Sequence, residues 1–98
     1  MVKAKQLYRS KLVYPDGAIR EMVIWSVPES PERPHGLKYR LYYGSAQGKC
    51  MVRYDNETGK GDHRHHMEKE GTYHFVDVET LMDDFQKDIN WFRRQKNE

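Results

Sequence analysis

Three of the chain's five histidines fall within twelve residues, Asp55-Asn56-Glu57-Thr58-Gly59-Lys60-Gly61-Asp62-His63-Arg64-His65-His66, beside two aspartates, two glycines and a lysine. Each polar group here costs free energy to bury unless it is paired, so the segment reads as a surface loop and a candidate site. If the segment is extended, His63 and His65 project to one side and Arg64 and His66 to the other. Imidazoles titrate near neutral pH, and two on one side can act as general base and general acid. Cleaving RNA without a metal needs such a pair: one group removes the 2′-hydroxyl proton and the other protonates the departing 5′ oxygen. Lys60 and Arg64, with Arg53 from the preceding strand, are the cations that would steady the phosphate. Asp62 or Asp55 can hold a histidine in one tautomer. Gly-Lys-Gly lets backbone N–H groups approach a phosphate but lacks the full P-loop spacing.

A second chemistry is a metal. Asp62, His63 and His65 have the ligand types for zinc or manganese, so a divalent ion is an alternative cofactor where the acid/base reading needs none. A third reading is a solvated connection between strands whose glycines serve the turn. Asn56-Glu57-Thr58 matches a glycosylation acceptor, an accidental match in a chain without a secretory signal.

The elements that must position this segment follow from period and punctuation. Gln6 to Tyr14 is rich in aromatic and β-branched residues and stops at Pro15-Asp16-Gly17, so with Ala18 to Val27 it predicts a hairpin. Pro28, Pro31 and Pro34 mark a loop. Leu37 to Tyr43 alternates, with Leu37, Tyr39, Leu41 and Tyr43 on one face and Lys38, Arg40 and Tyr42 on the other. Lys49 to Tyr54 continues the pattern, with Cys50, Val52 and Tyr54 in register for the core and Lys49 and Arg53 opposite. Thr72 to Val76 is a short strand candidate. The period then changes: Val78, Leu81, Met82, Phe85, Ile89 and Phe92 form one helical stripe behind the N-cap candidate Asp77. Glu79, Asp83 and Asp84 lie early in this helix and Arg93, Arg94 and Lys96 late, the order the helix dipole favours. The expected fold is α+β, a four- to five-stranded antiparallel meander with one C-terminal amphipathic helix packed on one face.

With 98 residues the chain is expected to be one domain, 1–98, large enough for one modest core. Seven tyrosines, three phenylalanines and two tryptophans argue against disorder. The single cysteine, Cys50, excludes an internal disulfide framework and reads as an inert small hydrophobe. No N-terminal apolar run resembles a signal peptide or membrane span, which gives the expectation of a cytoplasmic protein with no membrane contact. Charge is divided unevenly: residues 1–54 carry ten Lys/Arg against four Asp/Glu (+6) and residues 55–98 seven against eleven (−4), summing to +2. The basic half suggests a face for a polyanion. Lys38, Arg40 and Arg53, with Asp55 and Asn56 beside them, are the candidate substrate-binding groups, and a basic strand face bearing Tyr42 suits single-stranded RNA.

Tyr54 to His65, Tyr-Asp-Asn-Glu-x-Gly-Lys-Gly-Asp-His-Arg-His, resembles the signature of the TumE family of small toxins from type II toxin-antitoxin modules. The resemblance extends to Lys3-Ala4-Lys5, Tyr14-Pro15-Asp16-Gly17, Glu21 to Trp25, Lys38 to Leu41 and the Phe75 to Phe85 run. It implies a toxin with ribonuclease-like activity, held inactive by a cognate helix-turn-helix antitoxin encoded nearby. On the matching positions it implies roles for Asp55, Asn56, Lys60, Asp62, His63, Arg64 and His65. The chain departs from the pattern after His65, reading His66-Met67-Glu68-Lys69-Glu70 where an aromatic or aliphatic residue and a glycine are expected before Lys-Glu. Catalytic roles are expected of His63, His65, Asp62, Lys60 and Arg64; a homo-oligomer is compatible with the sequence.

Overall fold

The computed structural model describes residues 4–57 and 59–96. Lys3, Thr58 of the glycosylation-like triplet and the side chain of Lys96 lie outside the described residues. The strands are β1 (Lys5–Val13), β2 (Ile19–Ser26), β3 (Leu37–Gly44), β4 (Cys50–Asp55), β5 (His63–His66) and β6 (Lys69–Thr72), followed by the helix α1 (Val78–Lys96). The strands form one antiparallel sheet in the order of the chain, so the expected meander is observed with six strands among the described residues.

The first hairpin closes as its residues dictate. Gly17 takes φ 89°, a region closed to most side chains, and donates to the Tyr14 carbonyl at 2.9 Å, while the Asp16 carboxylate accepts from Ala18 N–H at 3.0 Å. β1 is an edge strand exposed over almost its whole length, and Lys5, Arg9 and Lys11 guard that edge against pairing with another chain.

One face of the sheet is covered. Leu81, Phe85, Ile89 and Phe92 of α1 pack on Ile24, Tyr39, Leu41, Tyr43, Val52 and Tyr54, all of them buried. The helix starts where the sequence predicts: the Asp77 carboxylate accepts from Thr80 N–H at 2.7 Å and its carbonyl from Leu81 N–H at 3.0 Å. At its far end Arg93 donates to the Tyr43 hydroxyl at 2.9 Å and lies 3.9 Å over the Tyr14 ring.

Three expectations are corrected in detail. The last four residues of the segment read as a loop are strand, because β4 offers an open edge on which His63 to His66 pair, Asp55 to His63 and Val52 to His66. The last strand is Lys69–Thr72, not Thr72 to Val76; Tyr73 to Asp77 instead crosses the helix-side end of the sheet, with Phe75 tilted against His35 at 4.2 Å and stacked on Tyr39 at 5.9 Å between ring centroids. A register shift between Tyr43 and Gly44 sets Cys50 opposite Gly44 and lets Met51 join the core, so Cys50 leaves the register predicted for it.

Candidate functional site

Alternation along β5 divides the histidine segment between two environments. Its Arg64 and His66 side chains turn toward α1. Arg64 holds Asp88 of α1 through two hydrogen bonds of 2.8 Å, and the Tyr54 hydroxyl reaches the same carboxylate at 2.5 Å. This fork-to-fork pairing raises the Arg64 pKa, and burial together with the Asp88 bond raises that of Tyr54. His66 packs against Trp91 and Phe92, with ring centroids at 5.4 and 4.9 Å.

His63 and His65 turn to the face that α1 leaves uncovered. The ladder aligns two cross-strand rows there. One runs Arg9, Val23, Arg40, Asp55, His63 and Thr72; the next runs Lys11, Glu21, Tyr42, Arg53, His65 and Glu70. Arg53, Asp55, His63 and Glu70 are in direct contact. Arg53 Nε lies 3.3 Å from Asp55 and its Nη2 3.3 Å from Glu70. His63 Nε2 faces the Asp55 carboxylate, with Glu70 3.6 Å away, and Nδ1 lies 3.1 Å from the Gly61 carbonyl. The Gly61 carbonyl only accepts, so Nδ1 is the donor there, while the buried Asp55 Oδ1 facing Nε2 has no hydrogen-bond partner among the described residues. His65 differs. It is half-buried beside Arg53 and Glu70 in the ladder, and its Nδ1 is buried with no hydrogen-bond partner.

The remaining sequence-predicted residues are dispersed. Asp62 does not reach His63. It accepts from the Tyr39 hydroxyl at 2.7 Å and lies 3.1 Å from His35 Nε2, on the covered side. Burial, followed by this Asp62 bond, raises the Tyr39 pKa. Asn56 is wholly buried, and its side-chain amide accepts from Tyr39 N–H at 3.0 Å and donates to the Leu37 carbonyl at 2.8 Å. It thereby extends the β3–β4 ladder beyond the last backbone pair. Lys60 is exposed in a turn closed by its own N–H on the Glu57 carbonyl at 3.1 Å. Lys38 and Arg40 are exposed on the open face with Arg53. The set Asp62, His63 and His65 is split between the two faces, and among the described residues no three His, Cys, Asp or Glu side chains converge as a metal site requires.

Sequence reasoning missed two partners. His35 anchors Asp62 from 27 positions away, and no local pattern signals so distant a pairing. Glu70 was also passed over. Its signal was available in the alternation of His63, His65 and Glu70 about a short turn.

A six-stranded meander clamped on one face by a helix, and carrying arginines, carboxylates and two imidazoles on the other, defines a small α+β protein with a charged, histidine-bearing sheet surface. The chain belongs to the Toxin TumE family, whose family model matches residues 3–92, nearly the whole sequence. Membership supports a toxin's role and suggests an antitoxin as partner. No curated protein and no solved structure matches the chain. Among the described residues no helix is long and apolar enough to cross a membrane.

Proposed function

We propose that the protein is a metal-independent endoribonuclease toxin that acts in the cytoplasm on the uncovered face of its sheet. The supporting observation is that one strand, β5, places His63 and His65 on that face beside Arg53. In this reading His65, half-buried on that face, takes the 2′-hydroxyl proton. The 2′ oxygen attacks the neighbouring phosphorus, and His63 supplies a proton to the 5′ oxygen that leaves, giving a cyclic phosphate and a free 5′-hydroxyl. Arg53 offsets the charge gathering on the phosphate oxygens. Asp55, rather than Asp62, orients His63, while Lys38 holds a flanking phosphate. The inhibitor is a cognate helix-turn-helix antitoxin.

Expression without the neighbouring gene, followed by growth and total RNA, tests the reading. His65→Ala should relieve growth arrest and leave the RNA intact at an unchanged melting temperature. His63→Ala should do the same while also lowering stability, since the buried Asp55 carboxylate then keeps only Arg53. Unchanged arrest in both single variants and in the double variant would sink the proposal. Excess chelator should leave RNA cleavage intact.

The burial of His63, with Nδ1 on the Gly61 carbonyl and Nε2 held against Asp55, favours a second reading, a module that binds RNA without breaking it. Intact RNA after prolonged incubation with tightly bound wild-type protein would decide for it.

A further inference from the structure

The uncovered face carries a cleft most of whose lining the acid/base chemistry does not use. It measures about 480 Å³ and lies over β2 and β3, lined by Val23, Trp25, Lys38, Arg40, Asp55 and Glu57 among others. Trp25 stands opposite Lys38, Val23 opposite Arg40, and Arg40 opposite Asp55, so the cleft adjoins the His63 row directly. Its chemistry is mixed in a particular way. An indole and a valine give a planar, apolar wall; two cations line the same cleft; two carboxylates lie toward the β4 end.

The carboxylates are not equivalent. Asp55 is buried and engaged by His63 and Arg53. Glu57 is exposed, and its carboxylate has no partner among the described residues. Among the described residues the Arg40 guanidinium lies over the Tyr42 ring, 5.2 Å from its centroid, with no hydrogen bond or ion pair, and so retains donors for a ligand.

We infer that this cleft is a guanine subsite, in which a base of single-stranded RNA stacks on Trp25, its Watson–Crick edge donating to Glu57 and its O6 and N7 accepting from Arg40. The inference rests on the ribonuclease reading for the strand that carries the base. Stacking on the indole is available to every base and sets no preference. The carboxylate does: a single carboxylate can receive two adjacent N–H groups, and guanine alone presents N1–H and N2–H side by side. Arginine bridging O6 and N7 is the commonest guanine contact of proteins, and it reinforces the same choice. Single-stranded RNA exposes both edges at once, as a duplex does not. A base seated here would place its neighbouring phosphates along the Arg40 to His63 row.

The chain has two tryptophans, so Trp91→Phe leaves Trp25 as the only indole reporter. In that background, five-nucleotide RNAs with 2′-O-methyl riboses, identical except for the central base, are titrated by tryptophan quenching. The guanine-centred strand should bind about tenfold more tightly than the adenine, uracil or cytosine strands, the discrimination one well-placed bidentate pair supplies. Glu57→Gln should reduce the preference to less than about threefold while leaving stacking in place. Trp25→Ala, followed by anisotropy of a labelled strand, should weaken all four strands together.

Equal affinities for the four strands, or a preference for cytosine, would overturn the subsite. So would guanosine monophosphate binding as tightly as the guanine-centred strand, which would mark a pocket for free nucleotide. The two proposals fail separately. Cleavage of ordinary RNA without guanine preference removes the subsite and keeps the ribonuclease; guanine-selective quenching with ordinary RNA left intact keeps the subsite and removes the ribonuclease.

Discussion

The two sides of β5 carry the same kinds of residue and use them differently. Toward α1, Arg64 is forked onto Asp88 and His66 is wedged among Trp91 and Phe92, so both contribute to fixing the helix on the sheet. Away from α1, His63 and His65 meet Arg53, Asp55 and Glu70 on the opposite face, where His63 and Asp55 are themselves buried. Residue type therefore does not separate a structural histidine from a candidate functional one. Strand parity does, because a period of two assigns alternate side chains to opposite faces.

If that division holds, changes on the covered side should act through stability and changes on the open face through activity. The largest effect should come from Asn56→Ala, at the end of β4 just before the chain turns back toward β5. The substitution strips the partners from Tyr39 N–H and the Leu37 carbonyl inside a buried environment. At roughly 1–3 kcal/mol for each buried group left unsatisfied, the loss is about 3 kcal/mol. Thermal unfolding should register it as a fall of roughly 15 °C. A change of only one or two degrees would show that water replaces the amide and that Asn56 does not fix this junction.

Next in size is Asp88→Ala, which leaves the Tyr54 hydroxyl and the Arg64 guanidinium without their shared acceptor. Arg64 remains partly exposed and recovers some hydration, so about 2 kcal/mol is expected, a fall of roughly 10 °C. Arg40→Ala on the open face should shift melting by no more than a surface change does, within about 0.5 kcal/mol, yet weaken RNA binding. Comparable destabilisation by the two variants would erase the distinction between the faces.

The same division explains what could be read in the sequence. The helix stripe from Val78 to Phe92, its cap at Asp77 and the alternation of β3 were legible because each is a local pattern of apolar side chains. β5 and β6 were not, because His63 to His66 and Lys69 to Thr72 contain no apolar residue to announce a strand. Their pairing is a tertiary effect: β4 offers unpaired backbone groups, and Asp55 and Asp88 supply the counter-charges that make a polar strand tolerable there. The site was legible in part for the same reason. Parity placed His63 and His65 together and Arg64 apart from them, but only the folded sheet chose Asp55 over Asp62 as the carboxylate of His63. The companions of Asp62, His35 and Tyr39, lie 27 and 23 positions away, beyond any pattern a local reading can detect.

The smallest effect on the covered side should come from the start of α1, the element that creates the difference between the faces. The Asp77 carboxylate bonds to Thr80 N–H, and this bond holds its pKa below the ordinary 3.8. A carboxyl whose pKa is lower in the folded chain than in the unfolded one adds stability above the unfolded value, and that contribution disappears as pH falls through the folded value. Asp77→Ala should therefore melt below the wild type at neutral pH, by less than either variant above, and the gap should close as the pH is taken below 3.8. RNA cleavage at a temperature where both proteins are folded should not distinguish them, because Asp77 caps the helix that covers the opposite face. A gap that persists unchanged into acid would mean that the alanine harms the helix through backbone propensity rather than through the lost charge. A loss of cleavage without a loss of stability would mean that α1 also shapes the open face, and the separation of the two sides of β5 would no longer hold.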